Sequence, residues 1–211
     1  MNKYITEFIG TFFLVTVVGL TAIATPGAGA MAPLAIGATL MVMIYAGGHI
    51  SGGHYNPAVT LAVLIRGKIN MGGAITYMIA QIGGALAAWA IVGFVFDGSA
   101  ATASAGVPSV AKALVGEFLG TFALAYVVLN VATAKANAGN SHYGLAIGFT
   151  VTACAYAFGG FSGGAFNPAV AVGASMLKAM YWGDIWIYAV GCFGGGALAA
   201  IIFNLNNPDD K

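Results

Sequence analysis

Hydrophobic positions form long uninterrupted blocks along the chain, and charged positions are confined to short intervals between them. Asp, Glu, Lys and Arg are absent from 8–65, 69–96, 118–134, 136–177 and 185–208. A helix that crosses a bilayer needs about 20 apolar residues. We therefore predict an all-α membrane protein with six spans, at about 5–25, 33–50, 71–95, 111–132, 143–161 and 182–203. The two longest blocks contain more residues than their spans require.

Composition supports this prediction and excludes other classes of protein. The chain has 211 residues, of which 60% are hydrophobic and 6% are charged. A typical soluble domain has about 25% charged residues. A soluble enzyme, a nucleic-acid-binding protein and a disordered chain are therefore excluded. The net charge of +1 is too small to indicate an anionic partner. We find no metal-ligand spacing and no nucleophile–base arrangement, so we expect no cofactor, no metal and no enzymatic activity. Cys154 and Cys192 are predicted to be small core residues.

The chain contains an internal repeat. Residues 34–59 and 145–170 are identical at 15 of 26 positions, without a gap, at an offset of 111. We predict repeat 1 at about 1–96, a linker at about 97–110, repeat 2 at about 111–203 and a short tail at 204–211. Each repeat has three spans, and an odd number of spans forces the two copies into opposite orientations.

The distribution of basic residues predicts the orientation in the membrane. Lys3, Arg66, Lys68, Lys135 and Lys211 fall on the side that carries both termini, whereas Lys112 and Lys178 fall on the other side. Short cytoplasmic loops carry an excess of Lys and Arg. We therefore expect both termini in the cytoplasm of a multi-pass protein of the plasma membrane or the bacterial inner membrane.

The residues left over in the two longest blocks predict two half-helices. Asn56-Pro57-Ala58 and Asn167-Pro168-Ala169 follow the second span of each repeat. Asn is a preferred N-cap and Pro is favoured at the first helical position. Each motif therefore begins a short helix, at about 57–66 and 168–178, which is long enough to cross about half a bilayer.

Glycine-rich segments precede both motifs, at 51–55 and 162–166. Irregular backbone at membrane depth is tolerated only where it is buried in protein or lines a water-filled cavity. We therefore predict two re-entrant loops that meet near the midplane. The facing helix N-termini would oppose cations and protons. The Asn amides would donate hydrogen bonds to a neutral permeant, and the free loop carbonyls would accept them.

Three ionisable residues of these segments have more than one interpretation. Glu7 and Glu117 occupy equivalent places in the first span of each repeat. A carboxylate within a span needs a partner, so each either accepts N–H bonds from its re-entrant loop and braces it, or belongs to a proton relay. His54 lies in the first loop, where pH gating, contact with substrate and local bracing are the alternatives.

The doubled Ser-Gly-x-x-x-Asn-Pro-Ala segment, the paired Glu-Phe-(Ile/Leu)-Gly-Thr and the six spans resemble the aquaporin (major intrinsic protein) family over the whole chain. The resemblance implies a right-handed bundle of six transmembrane helices plus two re-entrant half-helices, arranged as an inverted repeat. It also implies a homotetramer with one pore per subunit and a central constriction at Asn56 and Asn167. The implied carbonyl ladder is formed by Gly52, Gly53, His54, Gly163, Gly164 and Ala165.

The resemblance places a second constriction, the selectivity filter, at Ile36, Ala155, Gly164 and Val170. Most family members have Arg at the position of Val170, and typical water channels have Phe and His at the positions of Ile36 and Ala155. The filter predicted here has no charge, no side-chain donor and no aromatic ring. It either admits larger neutral solutes or dewets and slows conduction. Phe149, Phe161 and Phe166 are candidates to fill the space beside Ala155.

The function implied is a passive channel for water in the lipid bilayer, with small neutral solutes as further permeants. Ala171 replaces the Asp that is usual in glycerol facilitators, which favours water. The alternatives are a channel chiefly for ammonia, urea, glycerol or hydrogen peroxide, a coupled secondary transporter, and a non-conducting membrane junction protein. The family's usual mercury-sensitive cysteine is replaced by Gly164, so we expect weak inhibition by mercury unless Cys154 lines the pore.

Overall fold

A computed structural model describes residues 1–23, 27–96, 104 and 106–210. The helices of these ranges are α1 (Asn2–Val18), α2 (Ala32–Ser51), α3 (Pro57–Ile65), α4 (Met71–Val95), α5 (Val110–Thr133), α6 (Tyr143–Ser162), α7 (Pro168–Met176) and α8 (Ile185–Asn206). Residues 97–103 and 105 of the predicted linker, and Lys211, lie outside the described residues. Within the described ranges, six helices are long and apolar enough to cross a membrane, and they correspond to the six predicted spans.

The first span is less regular than the sequence predicted. The α-helical part ends at Val18 and continues as a π-helical turn from Gly19 to Ile23. The hydroxyl of Thr21 donates to the carbonyl of Val17 at 2.6 Å.

The helices pack in pairs that repeat across a pseudo-two-fold axis. In repeat 1, α1 packs on α4, and in repeat 2, α5 packs on α8 in the same way. The half-helices are exchanged between the repeats, since α3 packs on α8 and α7 packs on α4. Helices α2 and α6 cross each other near the axis. The two repeats thus form one bundle with the two half-helices inside it.

Glycines allow the closest of these approaches. A Cβ atom on Gly37 would collide with the carbonyl oxygen of Gly148, and one on Gly148 would collide with the carbonyl oxygen of Gly37. In the same way Gly84 faces the backbone of Phe8 and Gly195 faces the backbone of Phe118. Small residues at contact points let membrane helices approach closely, so these glycines fix the distances between the spans.

The outer faces of the spans are apolar and exposed, whereas the buried polar residues collect around the re-entrant loops. Ile79 and Phe94 on α4 are 67% and 81% exposed. Glu7, Gln81, Glu117 and Ser162 are fully buried. A surface of exposed large apolar side chains suits contact with lipid, and the buried polar groups point to the interior of the bundle as the place of function.

One ion pair ties the C-terminal tail to the end of the first half-helix. Arg66, the residue after α3, donates from Nη2 to a carboxylate oxygen of Asp210, and the guanidinium lies over the Phe203 ring. The other Asp210 oxygen accepts the backbone N–H of Lys135 at 2.7 Å. Three segments at this end of the bundle are therefore joined by one carboxylate.

Candidate pore

The two half-helices begin at Asn56 and Asn167, whose backbones are extended and whose side chains cap the helices. Asn56 Oδ1 accepts the N–H of Ala58 at 2.8 Å, and Asn167 Oδ1 accepts the N–H of Ala169 at 2.9 Å. The predicted starts of both helices are correct, and the ends fall at Ile65 and Met176, close to the predicted 66 and 178. Each asparagine therefore aims its amide away from its own helix.

Each asparagine amide is tied to the loop of the other repeat. Asn56 Nδ2 donates to the carbonyl of Phe166 at 2.8 Å, and Asn167 Nδ2 donates to the carbonyl of Tyr55 at 2.9 Å. An amide nitrogen has two hydrogens, so one remains on each side chain after this bond. The crossed pair fixes the two helix tips against each other and leaves one donor on each Asn.

The re-entrant loops need backbone angles that favour glycine. Gly52 and Gly53 have φ of +91° and +64°, and Gly163 and Gly164 have φ of +95° and +67°. Glycine adopts positive φ without steric cost. These paired glycines turn the chain back from the ends of α2 and α6 towards the half-helices.

The carboxylate of Glu7 accepts four hydrogen bonds from three parts of repeat 1. Its Oε1 accepts Ser51 Oγ at 2.6 Å and the N–H of His54 at 3.0 Å. Its Oε2 accepts the N–H of Tyr55 at 2.7 Å and Gln81 Nε2 at 2.8 Å. The first span, the re-entrant loop and α4 therefore converge on one buried side chain.

Glu117 has nearly the same environment in repeat 2. It accepts Ser162 Oγ at 2.8 Å, the N–H of Ala165 at 3.1 Å and the N–H of Phe166 at 2.7 Å. The fourth partner differs, because Cys192 replaces Gln81 and its thiol lies 3.6 Å away. Charged hydrogen bonds are stronger than neutral ones, and a thiol is a weak donor, so repeat 1 holds its loop with one more strong bond.

Four residues of these networks were not predicted from the sequence: Tyr77, Gln81, Tyr188 and Cys192. Tyr77 and Tyr188 donate to the carbonyls of Ser51 and Ser162 at 2.8 and 3.0 Å. The pairs Tyr77/Tyr188 and Gln81/Cys192 are separated by 111 residues, the offset of the repeat. That offset, extended beyond the recognised segments, would have found them.

A cavity of about 870 Å³ lies within the bundle, and both asparagines line it. Its wall includes the four predicted filter residues, Ile36, Ala155, Gly164 and Val170. Five of the six residues of the predicted carbonyl ladder also line it: Gly53, His54, Gly163, Gly164 and Ala165. The sixth, Gly52, is exposed and is not part of this wall. Pro57, Ala58, Pro168 and Ala169 lie behind the asparagines.

The three phenylalanines predicted as candidates to fill the space beside Ala155 differ in position and in exposure. Phe149 is half-exposed and lies outside the cavity wall. Phe166 contributes to the wall, but its ring packs closely on Gly120 and is 1% exposed. Phe161 lines the cavity and its ring packs beside Gly116. Of the three, Phe161 and Phe166 line the cavity, and Phe161 is the more exposed of these two, at 38%.

Polar side chains are unequally distributed along this cavity. His54 lies in the wall, and its Nδ1 is 3.1 Å from Thr60 Oγ1, which also accepts Gln81 Nε2 at 2.9 Å. The equivalent residues of repeat 2 are Ala165, Ala171 and Cys192. Repeat 1 therefore presents a hydrogen-bonded imidazole to the cavity, whereas repeat 2 presents a methyl group at the matching place.

Comparison with known proteins identifies this arrangement. A family model described as Major intrinsic protein matches residues 1–203. The chain belongs to the major intrinsic protein family. Members of the family are passive channels and not enzymes, so the chain is a passive channel of the membrane.

Relatives of this major intrinsic protein include channels of several kinds. Aquaporin NIP1-4 of Oryza sativa subsp. japonica is 37% identical over 97% of this chain and 77% of its own length. Glycerol uptake facilitator protein-like 6 of Lactiplantibacillus plantarum is 37% identical over the full length of both. Aquaporin TIP1-1 of Arabidopsis thaliana is 39% identical over 86% of this chain and 73% of its own length.

The fold of this major intrinsic protein is shared with a solved structure. The aquaglyceroporin from Plasmodium falciparum superposes with a TM-score of 0.82 at 23% identity, and the match covers 96% of this chain and 95% of the other. The predicted fold class is confirmed. The predicted family and the absence of enzymatic activity are confirmed by the relatives.

Proposed function

We propose that this channel conducts water as its main permeant and also admits small neutral solutes. The observation that carries the proposal is that two asparagine donors and four uncharged residues, Ile36, Ala155, Gly164 and Val170, line one cavity. Asn56 and Asn167 each retain an amide hydrogen after their crossed bonds. These donors, together with the loop carbonyls, replace the hydrogen bonds that a water molecule loses on entry.

The half-helices supply the barrier to cations. The N-termini of α3 and α7 meet at the centre of the cavity, where the aligned peptide dipoles produce positive potential. No Lys or Arg of the described residues lines the cavity. The exclusion of protons and cations therefore depends on the two helix N-termini alone, without the fixed charge that an arginine would add.

The wall at Ile36, Ala155, Gly164 and Val170 is proposed as the selectivity filter. It contributes methyl and methylene groups and glycine backbone, so it does not compete with the central donors for water. Because two of the four residues are Ala and Gly, the opening is set by small groups. This arrangement supports passage of neutral molecules larger than water.

A second candidate is a channel chiefly for a neutral solute such as glycerol or urea. It is favoured by the volume of the cavity, about 870 Å³, and by glycines in its wall at 159 and 160. A relative named a glycerol uptake facilitator points the same way. Ala171 and the buried ring of Phe166 do not add a polar contact for the hydroxyl groups of glycerol.

The orientation, the assembly and the role of the two carboxylates are further parts of the proposal. We propose that both termini face the cytoplasm at the plasma membrane or the bacterial inner membrane, and that four copies assemble with one pore each. Glu7 and Glu117 are proposed as braces of the re-entrant loops. The hydrogen bonds of each carboxylate support bracing, since they involve loop N–H groups rather than a chain of titratable side chains.

Stopped-flow light scattering on proteoliposomes tests the proposed permeant. An osmotic step in an impermeant solute gives the water permeability, and steps in glycerol and urea give the solute permeabilities of the same vesicles. We expect water permeability well above that of protein-free vesicles, followed by slower re-swelling in glycerol. Fast solute entry without accelerated shrinkage would contradict water as the main permeant and favour the second candidate. An internal pH dye reports proton leak.

A further inference from the structure

A second, separate pocket lies at the helix ends that carry Lys3 and Lys68. Its volume is about 360 Å³, and it lies between the beginning of α1, the end of α2 and the beginning of α4. Lys3, Lys68 and Asn70 line its sides, and Tyr4, His54 and Tyr77 contribute aromatic rings to its wall. The central cavity and this pocket share one residue, His54.

The charged side chains that line this pocket are two lysines, and the nearby Glu7 carboxylate lies behind the wall, where it accepts hydrogen bonds from Ser51 and His54. Lys3 and Lys68 are exposed and form no ion pair within the described part of the chain. No Asp or Glu of the described residues lines the pocket. The pocket also faces the N-terminus of α4, a helix of 25 residues, whose dipole adds positive potential. The chemistry of the site therefore selects an anion.

The inner wall offers further groups that can contact a polar ligand. His54 is 8% exposed, and its Nδ1 is engaged by Thr60, whereas its Nε2 makes no hydrogen bond within the described residues. The rings of His54 and Tyr4 both pack edge-on against Tyr77, at centroid distances of 5.1 and 5.8 Å. These contacts hold the wall in place, and Nε2 of His54 has no hydrogen-bond partner among the residues that the structure describes.

The rim of the pocket is apolar and lies where the spans end. Ile50 and Ile69 are part of the wall, and Ile5, Ile50 and Met71 are 51%, 43% and 62% exposed at the same helix ends. A free inorganic anion has no apolar part that could contact this rim. A ligand with an anionic head and hydrocarbon tails uses both parts, because basic pockets between spans bind lipid head groups at the membrane surface.

We propose that this pocket binds the phosphate-bearing headgroup of an anionic phospholipid. The ammonium groups of Lys3 and Lys68 contact the phosphate, and the acyl chains lie along the exposed apolar side chains at the beginnings of α1 and α4. The bound headgroup also affects the central cavity, because it lies against Tyr77 and His54, and His54 lines that cavity. An anionic lipid is therefore a structural ligand of the loop that carries the first asparagine.

Native mass spectrometry of the purified full-length protein tests this proposal. The protein is titrated with phosphatidylglycerol and, separately, with phosphatidylcholine. We compare the wild type with the double variant Lys3→Gln/Lys68→Gln. The control is Lys112→Gln/Lys178→Gln, which removes the same charge from exposed lysines at the other end of the bundle. All four lysines are exposed, and size-exclusion elution with helical circular dichroism verifies the fold of each variant.

We expect the wild type to prefer phosphatidylglycerol and the double variant to bind it about tenfold or more weakly, because each basic residue near a membrane surface adds about 1 kcal/mol of attraction. The single variant Lys68→Gln is expected to fall between them, and the control to bind as the wild type does. Equal losses in both double variants, or no preference between the lipids, would overturn the proposal. Displacement of the bound lipid by inorganic phosphate would overturn the assignment to a lipid.

Discussion

The side-chain amide of Asn56 donates to the backbone carbonyl of Phe166 at 2.8 Å, across the boundary between the two repeats. Asn167 makes the matching bond to Tyr55. The tip of each half-helix is therefore fixed by the loop that leads into the other. Neither half of the cavity has its observed geometry without the other, and the two asparagines that lock the loops also line the cavity.

Replacing Asn56 by Asp tests this dual role. The Asn56→Asp side chain would keep the N-cap acceptor for Ala58 but lose the donor to the Phe166 carbonyl, and it would place a carboxylate at the centre of the pore. An unsatisfied buried carbonyl costs about 1–3 kcal/mol. We expect a lower thermal midpoint, reduced water permeability and an increased proton or cation leak, measured in proteoliposomes.

The matched control is Asn130→Asp, which makes the same chemical change on α5, where the amide bonds to its own helix at Tyr126. It is expected to leave both permeability and ion leak near the wild-type values. If Asn56→Asp had wild-type water permeability and no increase in proton leak, the amide donor would not be needed for conduction or for proton exclusion. The proposed central constriction would then be wrong.

Replacing Glu7 by Gln tests the brace against the proton relay. Gln offers one acceptor oxygen and one NH₂ group, so donors that now converge on two carboxylate oxygens would face another donor. We expect a loss of about 2–4 kcal/mol in stability, seen as a large fall in thermal midpoint. Glu117→Gln is expected to cost somewhat less, because the Cys192 thiol is a weaker partner than Gln81.

The relay hypothesis makes the opposite prediction for the same variants. In that case each Gln variant would fold with nearly the stability of the wild type but would abolish proton movement coupled to solute uptake. Tryptophan fluorescence melting and pH-dye measurements on one preparation distinguish the two results.

Placing Arg at position 170 tests the proposed filter. Val170→Arg adds a fixed positive charge and several donors to a proposed filter whose four residues are uncharged. We expect glycerol and urea permeabilities to fall about tenfold or more, with a smaller change in water permeability and a lower cation leak. Val170→Met, which adds length without charge, separates the steric part of the effect from the electrostatic part. Unchanged solute permeability in Val170→Arg would show that the solutes do not pass this residue.

Mercury provides a test of which cysteines reach the pore. Cys154 and Cys192 are both buried free thiols, and neither lines the cavity. We expect wild-type water permeability to be little affected by mercuric chloride. Ala155→Cys, which places a thiol in the cavity wall, is expected to confer inhibition that a reducing thiol reverses. Strong inhibition of the wild type, lost in Cys154→Ala, would mean that Cys154 is accessible from the pore.

The tail contact between Arg66 and Asp210 predicts a dependence of stability on pH. The Lys135 backbone N–H and the adjacent Arg66 guanidinium hold the pKa of the Asp210 carboxyl below its usual value of 3.8. The contribution of the pair is therefore complete above that value and is lost as the pH falls through the lowered pKa. We expect Asp210→Asn to lower the thermal midpoint by about 3 °C at neutral pH.

The difference between this variant and the wild type is expected to shrink below about pH 4, where the wild-type carboxyl also becomes protonated. Asp209→Asn, a neighbouring acidic residue of the tail, is the control and is expected to behave as the wild type at every pH. A difference that persists unchanged at low pH would mean that the ion pair is not its source.

Much of the fold was predictable from the sequence because the constraints are local. Charge-free blocks identify spans, and Asn followed by Pro identifies the starts of α3 and α7, to the residue. The partners Gln81 and Cys192 were not predicted, because a buried Gln within an apolar span has no local signature of its own. The contact of Arg66 with Asp210 joins residues 144 positions apart, and no periodicity reports such a pair.

Only those residues of the site that lie in, or at a countable distance from, the repeated motifs could be predicted from the sequence. The four proposed filter positions follow from the family resemblance by counting from the two motifs, whereas the cavity that all four line depends on the packing of α2 against α6. The positions of the Phe161 and Phe166 rings depend on packing against glycines of another helix, α5. Phe166 fits against Gly120 because that glycine has no Cβ, and the sequence of α6 and its loop contains no sign of it.

Osmotic water permeability measured in both directions tests the central claim most directly. Vesicles with and without the protein are exposed to an osmotic step inward and outward, before and after ion gradients are dissipated with ionophores. The account predicts permeability well above that of protein-free vesicles, equal in both directions and independent of the ion gradients. Permeability equal to that of protein-free vesicles, or flow that vanishes with the ion gradient, would contradict a passive water channel.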